Sequence, residues 1–121
     1  MNVRKWFNRR LKPIWDPASR FLQRIERGKL SKIIPRERHA EFERFLSQAA
    51  STPGVDRLAL RFVARDGGSH AYVWVTYDLV REEALVGLRL VGVHLPGGPE
   101  DRFTTPDDLK DSPIFDAGRL P

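Results

Sequence analysis

The chain has 121 residues, 40% of them hydrophobic and 31% charged, with no cysteine and a formal net charge of +5. That length suits one domain with one modest core. The lack of cysteine excludes a disulfide scaffold and a thiolate zinc site, and no apolar run reaches the roughly 18 residues that span a bilayer. The cationic N-terminus is not followed by an apolar stretch of signal-peptide length. A soluble, cytoplasmic protein is the expectation.

The net charge hides a division. Residues 1–38 hold twelve Lys/Arg and three Asp/Glu, a net of +9. Residues 39–121 hold nine and thirteen, a net of −4. Charge segregated this way points to a polyanionic partner, or to docking of the basic part on another protein.

Residues 1–34 read as a basic helical arm. Val3, Phe7 and Leu11 form one helical row over residues 2–12, which Pro13 limits. Asp16-Pro17 is a good helix start, with Asp as N-cap and Pro at the first helical position. Ala18, Phe21, Leu22 and Ile25 then share one face, Arg20, Arg24 and Arg27 share another, and Gly28 is a stop. Lys29–Ile34 reads as a linker.

Residues 35–95 read as an α+β core. Pro35 opens a helix over 36–50 whose buried stripe is Phe42, Phe45, Leu46 and Ala49. Thr52-Pro53-Gly54 ends it. The hydrophobic period then changes from 3.6 to 2. Strands are expected at about 55–65 and 69–80, joined by a hairpin at Asp66-Gly67-Gly68. Leu58, Leu60, Phe62 and Ala64 alternate with Arg57, Arg61 and Arg65. Ala71, Val73, Val75 and Tyr77 alternate with Tyr72, Trp74 and Thr76. A turn at Asp66-Gly67 pairs Leu60 with Val73, and one centred on Gly67-Gly68 shifts the pairing by two. Either way each side chain keeps its face.

A tight turn near Arg81-Glu82-Glu83 leads to a third strand over about 85–95. It is apolar on both faces and so is expected at the centre of the sheet or covered twice. Residues 96–121, rich in Pro, Gly and Asp, read as an irregular tail with one short helical turn capped by Thr105. The fold class is α+β: N-terminal helices, then an antiparallel β-meander of three or more strands, with one amphipathic helix packed on the sheet.

Two constellations point to a partner. The first is the arm, where Arg4, Lys5, Arg9, Arg10, Lys12, Arg20, Arg24 and Arg27 are interleaved with Trp6 and Trp15. Guanidinium groups bind phosphates by charge-assisted hydrogen bonds, and indoles stack on bases or support a neighbouring Arg. The second is the outer sheet face of Arg57, Arg61, Arg65, Tyr72 and Trp74, joined by Thr76 and Arg89. Cations beside aromatics on a sheet suit single-strand recognition. The same pairs also stabilise ordinary sheets, and a tail can cover them.

His39, His70 and His94 are far apart and lack metal-ligand spacing, so no metal is expected. His70 and His94 approach each other at one sheet end under one permitted register. Gly97-Gly98 precedes a proline, not a helix, so no phosphate loop and no cofactor is expected. Glu82-Glu83 and Asp107-Asp108 suit a turn and a helix start.

The expected function is a small, basic, non-enzymatic nucleic-acid-binding protein that contacts RNA or DNA phosphates through the arm. A second expectation is a subunit of a larger assembly, such as a virion or ribonucleoprotein, docked through the same arm. A third follows from outline. Helices before an antiparallel meander, with Arg and His on the sheet, are similar to RelE/ParE-like and barnase-like ribonucleases. That resemblance implies RNA cleavage by acid–base groups drawn from the three histidines and nearby Arg or Glu. It carries no motif, so it assigns no catalytic residue. An anionic membrane surface ranks last, because Pro13 and Pro17 interrupt the continuous amphipathic helix it prefers.

Overall fold

The computed structural model describes residue 30 and residues 32–66, 68–82 and 85–120. The two helices expected before Gly28 lie outside the described residues.

A 3-10 turn at Arg36–Arg38 leads into α1, His39–Ser51. Pro35 precedes the turn with extended backbone, as a proline before a helix requires. Phe42, Leu46 and Ala49 recur at helical spacing and are buried. The polar residues between them are exposed.

Four strands follow: β1 Arg57–Asp66, β2 Ser69–Glu82, β3 Leu85–His94 and β4 Ile114–Arg119. They form one mixed sheet in the order β3-β2-β1-β4. β1–β2 and β2–β3 are antiparallel, whereas β1–β4 is parallel. Of the two registers allowed by the glycines, the chain takes the one pairing Leu60 with Val75 and Arg61 with Trp74. Asp66 and Ser69 then flank the turn, and Gly68 sits at φ +89°, a conformation that favours glycine.

Alternation sends Leu58, Leu60, Phe62, Val73, Val75 and Tyr77 to the face under α1, where they form the main core with Phe42, Leu46 and Phe115. Leu30, Ile33 and Ile34 join that core, so the residues expected as a linker are partly interior.

Three expectations are corrected. First, β3 is an edge strand, not a central one. Its apolar character on both faces has another cause. Thr76 pairs with Gly92 and Tyr77 with Leu90, leaving Val91 as a bulge. The bulge exchanges the faces midway along the strand. Leu88, Leu90 and then Val93 therefore serve the same core, while His94 turns to the opposite face beside Trp74.

Second, the tail is not all irregular. Its last part is β4, which makes the sheet mixed. Third, Arg81 is not a turn residue, because β2 runs through to Glu82. From there its guanidinium reaches the C-terminus of α1, donating to the carbonyls of Ala50 at 3.0 Å and Ala49 at 3.1 Å.

β3 and β4 run in the same direction at opposite edges of the sheet. Residues 95–113 must therefore cross a face to connect them. They cross the face opposite α1, where Leu109 packs on Ala59 and Trp74 in a second, smaller core. Two backbone bonds fasten the crossing to the sheet: Tyr72 N–H to Arg102 at 2.7 Å, and Ala59 N–H to Pro113 at 2.9 Å.

Candidate functional site

The outer face is ordered by two charge clusters. Asp78 on β2 accepts from Arg57 Nε at 3.0 Å and from Arg89 Nη2 at 3.3 Å, so one carboxylate bridges all three antiparallel strands. Asp116 on β4 accepts from Arg61 Nη2 at 2.8 Å. The Arg61 guanidinium also lies 4.6 Å from the Tyr72 ring centre and 5.8 Å from that of Trp74. Burial alone raises the Asp116 pKa. The Arg61 hydrogen bond, the Gly118 N–H and the charges of Arg61 and Arg38 outweigh it and hold the group below the ordinary carboxylate value.

These contacts decide what the predicted sheet residues do. Arg57 and Arg61 are already bound to carboxylates. Trp74 is only 3% exposed and floors the crossing segment. An open stacking platform is not what this face presents. Arg65 differs: it is exposed, sits opposite His70 at the hairpin end, and forms no ion pair with another described residue.

Between the sheet and the crossing segment lies a cavity of about 270 Å³. Tyr72, Trp74 and His94 line it from the sheet, and Leu95, Asp101 and Thr104 from the crossing. His94 Nε2 is 3.4 Å from Asp108 Oδ2. Thr104 donates to the Glu100 carbonyl at 3.2 Å, leaving its hydroxyl oxygen able to accept. Gly97 leaves room for Asp101, whose Oδ2 lies 3.0 Å from where a Cβ would be. Outside the cavity Phe103 stands edge-on to Tyr72, ring centres 5.0 Å apart, and is 58% exposed.

The histidines do not converge. His70 pairs with Arg65 at the hairpin, while His94 pairs with Trp74, four residues further along β2. His39 is on α1, where its Nε2 lies 2.8 Å from the Ile34 carbonyl and so carries the proton. Among the described residues no three His, Asp or Glu side chains gather as a metal-binding group.

The remaining cations are not scattered evenly. Lys32, Arg36, Arg65, Arg102 and Arg119 form no ion pair with another described residue and lie toward the hairpin end of the sheet; Arg44, exposed midway along α1, is the sixth such cation. Arg119 pairs with Val63, and the Arg102 carbonyl holds Tyr72. Lys32, Arg36, His39 and Arg119 line one open groove there. At the opposite end Arg57, Arg81 and Arg89 are all paired with carboxylates, Arg57 and Arg89 sharing Asp78.

The arm residues Arg4, Lys5, Trp6, Arg9, Arg10, Lys12, Trp15, Arg20, Arg24 and Arg27 lie outside the described residues. They join the body at Leu30, beside this basic end. Sequence reasoning missed Asp101, Phe103 and Asp116, and read Asp108 only as a helix-start acid. The only signal for them was an otherwise costly exposed aromatic in an acidic, proline-rich stretch. Among the described residues no helix is long and apolar enough to cross a membrane. Comparisons with protein-family models, curated proteins and solved structures give no match to this chain.

Proposed function

We propose that this protein binds nucleic acid through its phosphates, using the N-terminal arm together with the hairpin end of the sheet. One observation carries the reading. Of six body cations with no ion pair to another described residue, five gather at the hairpin end, which is where the basic arm attaches, whereas Arg57, Arg81 and Arg89 at the other end are all paired with carboxylates. Of the unpaired cations at the hairpin end, Lys32 and Arg36 adjoin, in sequence, a segment with nine Lys/Arg and two acids over residues 1–29, so positive charge is concentrated in this part of the chain. Positive charge concentrated in this way releases counterions when it binds a polyphosphate.

The test is the affinity of the full chain for RNA and DNA strands as a function of salt. A steep linear fall of log K with log salt is expected. Arg65→Ala should lower the slope by about 0.7 for a single strand, the loss of one phosphate contact. Charge reversal at Arg89, on the carboxylate-paired end, should leave the slope unchanged. No binding at low salt, or a flat salt dependence, refutes the proposal.

A further inference from the structure

We infer that the cavity between the outer sheet face and the crossing segment receives one unstacked nucleobase, so that the strand this protein binds is single. The inference rests on the phosphate-binding reading above and assigns the base-recognition part of it.

The size of the cavity sets the first limit. At about 270 Å³ it falls just below the roughly 300–1,000 Å³ of sites for drug-sized ligands. It suits a single planar ring system. The walls set the second. Tyr72 offers aromatic surface and the edge of buried Trp74 closes the floor, while Asp101 and the Thr104 oxygen offer acceptors. A ring with apolar faces and a hydrogen-bonding edge matches that division. The charge sets the third. Asp101, in the lining, repels a phosphate but accepts amino and imino N–H groups, so the base goes in and the phosphate stays out.

The phosphate has a place to stay. Tyr72 is two residues from His70, which faces Arg65 across the hairpin. Two residues of strand span about 7 Å. That distance is within one nucleotide of reach, so a backbone held by Arg65 delivers its neighbouring base to Tyr72.

The last observation is exposure. Leu95 and Phe103 are two of the three exposed large apolar side chains among the described residues; Leu95 lines the cavity, and Phe103 stands just outside it against Tyr72, which does. Phe103 leaves most of its surface in water while Tyr72 fixes it edge-on. A ring held in that way is a ready stacking surface. A base in a duplex would first have to leave its stack, at a cost that a single strand does not bear.

The experiment uses the full chain and three labelled DNAs of equal phosphate number: a mixed-sequence single strand, its abasic analogue, and a duplex. Binding is followed by fluorescence anisotropy at one salt concentration. The intact strand should bind about ten-fold more tightly than the abasic one, the scale of one base–aromatic stack. Phe103→Ala, an exposed substitution that spares the core, should abolish that difference and leave abasic binding unchanged. Arg65→Glu should weaken both strands alike. Equal binding of intact and abasic strands overturns the base site while leaving the phosphate reading standing. A difference that survives Phe103→Ala and Tyr72→Phe/Phe103→Ala also overturns it. No binding of any of the three at low salt overturns the phosphate reading itself.

Discussion

Arg81 ties the end of α1 to the sheet, and its removal has a calculable cost. Its Nε and Nη2 donate to Ala50 and Ala49, two last-turn carbonyls of a helix that has no basic residue of its own in that turn. Nη2 also reaches the Val55 carbonyl, and Nη1 reaches Asp56 at 3.1 Å. A hydrogen bond to a charged group is worth about 1.5–3 kcal/mol when buried. The side chain is 34% exposed, so water can replace part of what is lost. Arg81→Ala should therefore cost about 2–3 kcal/mol in total. Arg81→Lys keeps the charge at the helix terminus but loses the fork, and should cost about half as much. Asp56→Ala removes only a carboxylate that is 84% exposed and should fall within about 0.5 kcal/mol of the parent. Urea unfolding followed by circular dichroism, with an unchanged m value, measures all three. An Arg81→Ala protein as stable as the parent would show that the bridge is not a structural tie.

Leu109→Ala should cost about 2–4 kcal/mol, because Leu109 is fully buried between the crossing and Ala59 and Trp74; a loss under about 1 kcal/mol in urea unfolding would mean the crossing is not packed there. Gly68→Ala should cost about 1–2 kcal/mol from backbone strain alone, since no atom lies within 4 Å of the added methyl but φ is +89°; a neutral result would contradict that hairpin geometry. Asp116→Asn should lose roughly 0.5–1 kcal/mol at neutral pH, a modest figure because the pair is partly exposed. The folded Asp116 pKa is depressed, so its contribution is present above the unfolded value of about 3.9 and is lost as pH falls through the folded value. The gap between parent and variant should close as pH falls below the ordinary carboxylate range, and a gap that stays constant into acid would refute the Arg61 pairing.

The alternating segments were legible because their periods are written in side-chain type. Leu58, Leu60 and Phe62 had to share a face whichever glycine turn formed, and they do. The stripe of Phe42, Leu46 and Ala49 was equally plain. β4 was not legible. It is six residues long, carries a glycine at φ +83°, and pairs in parallel with a strand some fifty residues earlier. No local pattern encodes such a partner. The edge position of β3 was hidden by its bulge, since an inserted residue turns alternation into a continuous apolar run. Of the candidate site, Tyr72 and Trp74 were placed on the correct face. The positions of Asp101 and Asp108 beside them were not legible, because both come from a segment whose path depends on where β4 docks.

That dependence explains why a cavity exists at all. Once β3 and β4 take opposite edges in the same direction, nineteen residues, 95–113, must cross the outer face. The crossing contains too few large apolar side chains to seal the sheet, and Leu109 is the one that is fully buried. The space beside it is left to Tyr72, His94 and the crossing's own polar groups. His94 reaches that space only because the Val91 bulge turned it away from the core. Regular alternation through Val91, with no bulge, would instead put His94 on the α1 face and away from Asp108. The bulge and the crossing are therefore one device. The first delivers a titratable ring to the outer face, and the second supplies the roof and the carboxylate that meet it there.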